Sequence, residues 1–165
     1  MTAPLPGAIT TEHRYPLPIG PEAMWALISD VQAYRSWWVW LRRFDAQALA
    51  AGESWRCEVQ PPLPYIVRFG ITIEELDAPR LIRATVTGDV VGEATLRVEP
   101  DDDNDDGCVA TLGSSLAPGN AILRLVSRLT PPVARFGHDW VLDSGARQFI
   151  TRAIGPLASE PGAAS

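Results

Sequence analysis

Apolar residues in this chain follow two periods, and the changes of period predict where the elements lie. Ile9 to Leu17 alternates as a strand should, weakened by Pro16. Gly20-Pro21-Glu22 opens a helix that runs to about Ser29, because proline is tolerated at the first helical position and glutamate suits the positive end of the helix dipole. Asp30 then caps a second predicted helix, Val31 to about Leu41, in which Tyr34, Trp37, Trp38 and Leu41 fall at i, i+3, i+4 and i+7. From Ser54 the period is two. Trp55, Cys57 and Val59 share one face of a strand ending at Val59, and Tyr65, Val67, Phe69, Ile71 and Ile73 share one face of a strand from Tyr65 to Glu75. Further strands follow at Arg80 to Thr87, Val90 to Glu99 and Cys108 to Leu116. Pro61 to Pro64, Asp77-Ala78-Pro79, Gly88-Asp89 and the acidic run Asp101 to Gly107 separate these runs. Such short spacings predict antiparallel hairpins, not βαβ units.

After Pro118-Gly119 the pattern is helical to about Ile154, interrupted at Pro131 and Pro132, with Thr130 as a fresh cap. One stripe of this long helix carries His138, Val141, Leu142, Gly145 and Phe149 and should face the sheet. A glycine on that face implies either close helix–sheet contact or an open space. His138 is the stripe's ionisable group. It reads as a hydrogen-bonded core histidine, as a polar anchor for a ligand, or as a general acid/base. Asp139 points about 100° away around the helix and is not expected to form a simple dyad with it. Val133, Phe136 and Trp140 lie on the opposite side, to be covered by Asn120 to Leu129 or by a dimer contact. Asp143 and Arg147 are spaced as a solvent-side pair.

The expected fold class is therefore α+β: a curved antiparallel sheet wrapped around a long C-terminal helix, with two short helices after the first strand. Domain organisation is simple. Residues 1–8 form a flexible arm without the character of a signal peptide, residues 9–154 a single domain, and residues 155–165 a flexible tail.

Composition removes several functions. The chain has 165 residues and no lysine, its 14 basic residues all being arginine, so Schiff-base and P-loop lysine chemistry is excluded. Cys57 and Cys108 cannot form a four-cysteine zinc site and read as buried free thiols in a reducing cytoplasm. Asp102, Asn104, Asp106 and Gly107 match the start of a calcium loop. The twelfth position is Gly113 rather than glutamate, however, and a strand follows, so no metal and no cofactor is assigned. The net charge of −6 argues against nucleic acid. Asp101, Asp102, Asp103, Asp105 and Asp106 supply most of it, leaving the remainder nearly neutral. No integral membrane segment is present. Arg35 to Phe44, with Trp37, Trp38 and Trp40 among three arginines, either closes one end of the sheet or makes a peripheral membrane contact.

Several local motifs carry a family resemblance in their order and spacing. They are the run Pro21 to Asp30, then Tyr34 with Trp37-Trp38, Leu63-Pro64-Tyr65, Gly88-Asp89 with Gly92, and His138-Asp139-Trp140-Val141 with Gly145. With them the chain resembles the START-like SRPBCC superfamily of helix-grip ligand binders, and most of all bacterial members labelled polyketide cyclase/dehydrase, over about Ile9 to Ile154. The resemblance implies a seven-stranded sheet gripping the last helix over a hydrophobic cavity. That is one strand more than the alternation gives; a split strand, or one missed near Arg42 to Ala50, would reconcile the two.

The expected function is binding or transport of a small hydrophobic molecule such as a lipid, polyketide or aromatic metabolite. Trp37, Trp55, Tyr65, Phe69, His138, Leu142 and Phe149 are the cavity-facing candidates. The alternative is an aromatase/cyclase-type enzyme with His138 as base and Tyr65 as acid. The protein is expected to act as a monomer or homodimer.

Overall fold

The computed structural model describes Ala3 and residues 5–159, in which seven strands form one antiparallel sheet. The strands are β1 (Ile9–Leu17), β2 (Leu41–Asp45), β3 (Ser54–Val59), β4 (Val67–Asp77), β5 (Leu81–Gly88), β6 (Val90–Asp101) and β7 (Asn104–Pro118), in the order β1-β7-β6-β5-β4-β3-β2. β2 to β7 form a meander, and β1 closes on β7 with Ile9 opposite Leu116 and Leu17 opposite Cys108. Register shifts at Ile73/Glu75 and Pro100/Asp101 add the bends of β-bulges. The helices are α1 (Pro21–Ser29), α2 (Tyr34–Trp37), α3 (Ala121–Leu129), α4 (Pro131–Phe149) and α5 (Gly155–Ser159). A 3-10 turn at Val31–Ala33 precedes α2, and a π-helical turn at Ile150–Ile154 joins α4 to α5. This is the helix-grip architecture, a curled sheet holding a long C-terminal helix.

The predicted helix from Val31 to Leu41 stops at Trp37. Trp38 is already extended, and its indole N–H donates to the Gly145 carbonyl at 2.9 Å, drawing the chain onto α4. Aromatic and β-branched residues fit a pleated surface at least as well as a helix, and Leu41 then pairs with Val59. β2 is thus the seventh strand, at the start of the segment where one was missing.

Smaller differences have equally local causes. β4 begins at Val67 rather than Tyr65, since Pro62 and Pro64 cannot donate to a ladder. The acidic loop shrinks to a turn at Asp102-Asp103, where the Asp101 and Asn104 side chains accept from the backbone N–H of Asp103 and Asp106. The expected tail is helical over Gly155–Ser159, while residues 160–165 lie outside the described residues, as do Met1, Thr2 and Pro4 of the arm. Thr130 sits at the start of α4, but its hydroxyl donates backwards to the Val126 carbonyl.

Under the sheet the core falls into two parts. Toward β2 and β3, Tyr34, Trp37, Trp55 and Phe149 are buried in an aromatic cluster with Trp38 and Phe44. Its neighbouring ring centroids are separated by 5.1 Å (Tyr34–Phe44), 5.4 Å (Trp37–Phe149) and 5.5 Å (Phe44–Trp55). Three polar edges of this cluster are satisfied: Tyr34 donates to the Ile28 carbonyl, Trp55 to that of Ala48 and Trp38 to that of Gly145, while the neighbouring Trp40 Nε1 is buried without a partner. Toward the middle of the sheet the concave face carries smaller residues. Ala94 opposes Ser114 there. Less side-chain volume there leaves space beneath α4.

Candidate functional site

That space is a cavity of about 280 Å³ between the sheet and the N-terminal half of α4. Val67, Phe69 and Ile71 of β4, Val86 of β5, Ala94 of β6, and Leu112, Ser114 and Leu116 of β7 form its floor. Gly137, His138, Val141 and Leu142 of α4 form the roof. Leu123 and Ser127 of α3 form one wall, and Pro61 and Tyr65 lie on the loop before β4. A broader depression of about 910 Å³ lies among Arg14, Arg80, Arg97 and Asp101 to Asp103, on charged ground unsuited to an apolar ligand.

Of the seven cavity candidates, Tyr65, Phe69, His138 and Leu142 line this space. Trp37, Trp55 and Phe149 do not; they belong to the aromatic cluster at the other end. The stripe on α4 is real but serves two neighbourhoods. Its first part, His138, Val141 and Leu142, roofs the cavity, and its second part, Gly145 and Phe149, packs against tryptophans. A Cβ on Gly145 would sit 3.4 Å from Trp40 Cζ2, so this glycine allows close contact and does not open onto the cavity. Gly137 plays the comparable part facing the Pro61–Tyr65 loop, where a Cβ would come within 3.0 Å of Leu63 Cδ1 and 3.8 Å of the Tyr65 hydroxyl.

The polar atoms of the cavity converge near His138. Its Nε2 lies 3.2 Å from Ser114 Oγ, which is also 3.1 Å from Thr11 Oγ1. Behind the ring, His138 Nδ1 lies 3.5 Å from Asp139 Oδ1, and the same oxygen lies 3.9 Å from His13 Nε2. No simple dyad is expected of Asp139 and His138, and the structure brings the two side chains near each other without a hydrogen bond between them. The two Cβ directions diverge, but each side chain reaches beyond its own Cβ. The approach lacks hydrogen-bond alignment, and both Nδ1 and Oδ1 are buried without a hydrogen-bond partner. Burial holds the His138 pKa below the usual imidazole range, with Asp139 pulling the other way. The ring facing the cavity is accordingly neutral at pH 7, able to accept or donate one hydrogen bond. Burial raises the Tyr65 pKa, so that group stays a neutral phenol.

Sequence reasoning missed Ser114. It interrupts an apolar row, Leu112-x-Ser114-x-Leu116, on a strand whose other face is separate, and a lone hydroxyl in such a row was the available signal. It also paired Asp143 with Arg147. In the structure Asp143 accepts from the Tyr15 hydroxyl at 3.3 Å, and Arg147 donates to Ser144. Burial, helped by Asp143, pushes the Tyr15 pKa up to about 12. The Trp/Arg segment is tied into the fold: Arg152 donates to the Trp37 carbonyl at 2.6 Å, and Trp38 bonds to α4. Trp140 lies beside Trp40 and Pro61 to Pro64 in a shallow surface depression. Among the described residues no helix is long and apolar enough to cross a membrane.

A family of proteins described as polyketide cyclase / dehydrase and lipid transport matches residues 8–153, nearly the whole described chain. The chain belongs to that family. Among solved structures, a protein from Thermus thermophilus superposes with a TM-score of 0.67 at 16% identity, over 93% of this chain and 100% of that one. The Zhui aromatase/cyclase from a Streptomyces species gives 0.67 at 16% identity, over 92% and 94% of the two chains. Norcoclaurine synthase from Thalictrum flavum, in complex with dopamine and hydroxybenzaldehyde, gives 0.55 at 13% identity, over 88% and 90%. At these identities the likeness is one of fold. No curated protein matches the chain.

Proposed function

We propose that this protein binds and carries a compact, mostly apolar small molecule in the cavity beneath α4. The observation that carries the reading is an apolar space of about 280 Å³ in which polar side chains converge at one place, Ser114 and His138. Burial of ligand surface would supply the affinity, at about 25 cal/mol per Å². The Ser114–His138 pair, with Tyr65, would orient the one polar end of the ligand. A reducing, cytoplasmic setting suits the free, buried thiols of Cys57 and Cys108.

Native mass spectrometry of the full chain isolated from its own host tests this reading. A retained small molecule is the expected result, and Ala94→Phe, which puts a ring into the space, should abolish retention. A wild-type chain that is empty and also takes up no apolar dye overturns it.

One observation favours a second reading, that of an aromatase/cyclase-type enzyme. A neutral His138, placed against a hydroxyl and facing the cavity, is the form a general base needs. His138→Ala separates the two readings. Unchanged ligand affinity with lost turnover indicates chemistry, whereas lost affinity alone indicates binding.

A further inference from the structure

The wall of the cavity formed by α3 has a second side. Leu123 and Ser127 face the cavity, one helical turn apart. Ile122, Leu125 and Leu129, at i, i+3 and i+7, face outward and are 74%, 57% and 72% exposed. Phe136 of α4 extends this face at 53% exposure, with Val133 between. Val133 and Phe136, expected to be covered by Asn120 to Leu129 or by a dimer contact, are therefore exposed, while Trp140 is half-buried beside Trp40. Helix α3 brings its own apolar side to the exterior. Arg124 and Arg128 flank the strip, Arg135 lies near Phe136, and all three are exposed. None of them is in an ion pair within 4.0 Å among the described residues. From Gly107 to His138 the chain has three arginines and not one aspartate or glutamate, within a protein of net charge −6.

We propose that this face of α3 and the start of α4 docks onto an anionic lipid membrane surface. An exposed apolar strip bordered by arginines suits the headgroup boundary, where the strip enters the acyl region and the guanidinium groups meet lipid phosphates. A second copy of the chain fits less well. A two-fold contact through this patch would set Arg124, Arg128 and Arg135 against the same three arginines. The inference deepens the carrier reading and rests on it for its purpose. One helix separates the cavity from the docked surface, so an apolar ligand would pass between them without crossing bulk water. The helix is also pinned at one end. The Asn120 side chain caps it by accepting from Leu123 N–H at 2.8 Å and donates to Asp89 at 2.8 Å. Asp89 in turn accepts from the Arg68 N–H.

Flotation of the full chain tests this, using phosphatidylcholine vesicles with and without about 30 mol% phosphatidylglycerol. The chain should float with the anionic vesicles, and less so as salt is raised. The variant Ile122→Ser/Leu125→Ser/Leu129→Ser should partition at least about tenfold more weakly. Arg124→Gln/Arg128→Gln, which leaves every apolar residue in place, should weaken binding to anionic vesicles and flatten its salt dependence. Absence of flotation with both vesicle types overturns the proposal, as does flotation indifferent to both variants. So does a wild-type dimer, measured by light scattering, that the serine variant turns into a monomer; that result would give the face to a second copy. Uptake of N-phenyl-1-naphthylamine without vesicles reads the cavity separately. Dye uptake without flotation sinks the membrane proposal and spares the carrier reading. Flotation without dye uptake supports the membrane proposal and counts against the carrier.

Discussion

The two ends of the groove beneath α4 are built from the same helix and the same sheet, yet they are packed in opposite ways. At one end Trp37, Trp38 and Phe149 meet Tyr34, Phe44 and Trp55 ring against ring, and the helix contributes glycine so that Trp40 can come close. At the other end the helix contributes His138, Val141 and Leu142, and the sheet answers with Ala94 and Ser114. Aromatic rings in edge and offset contact add to their area burial. An unfilled apolar space forgoes the dispersion contacts its walls would otherwise make. The difference teaches that close packing and open space are divided along one helix: the packed end holds α4 against the sheet, and the other end leaves a cavity beneath it.

Substitution at the packed end should give the largest effect. Trp37→Ala removes a ring at 7% exposure with three aromatic neighbours and should cost about 3–5 kcal/mol in urea unfolding. Leu142→Ala at the open end should cost about 1–2 kcal/mol, because that side chain already borders empty space. Equal costs would break the comparison.

Enlargement should show the same bias at a smaller scale. Gly145→Leu must displace Trp40 and should cost about 1–3 kcal/mol, whereas Ala94→Phe grows into the cavity and should cost less than about 1 kcal/mol.

Acid should act on the open end. The folded state holds His138 below its unfolded pKa, so the unfolded chain binds the extra proton. The stability contributed by neutral His138 is complete above about pH 6.5 and is lost as pH falls through the lowered folded value. His13, Asp139 and Arg135 share that neighbourhood, and Asp139 limits the effect. Urea midpoints should fall between about pH 7 and about pH 5, and His138→Gln should flatten that fall.

The smallest effect is expected from Gly145→Ala. Its Cβ would make ordinary contact, and the gain in helix propensity, up to about 1 kcal/mol, should leave thermal stability equal or slightly raised.

Where alternation could be followed, the strands could be read almost to the residue. Ser54–Val59 and Ile9–Leu17 appear as expected, because a half-buried strand has to expose every second side chain. The stretch Tyr34 to Leu41 misled because burial at i, i+3, i+4 and i+7 can arise without a continuous helix. Trp38 is partly buried there by a bond to α4, and Leu41 by pairing in β2. For the site, the helical stripe on α4 located its roof. A stripe, however, carries no information on what lies opposite. Only the folding of the sheet decided that His138 would face a space and Phe149 a tryptophan. The approach of His13, Asp139 and Ser114 to His138 joins three elements and could not be read from spacing along any one of them.

The small residues at the middle of the sheet have a consequence of their own. Ala94 and Ser114 stand opposite each other on two adjacent strands bonded along almost their whole length. Part of the outline of the chamber is therefore written in side chains on two long paired strands. One methyl more or less at either position would redraw the outline without disturbing the frame. Relatives built on the same strands could thus change what they accept one carbon at a time, much as a mould is recut while its casing stays the same.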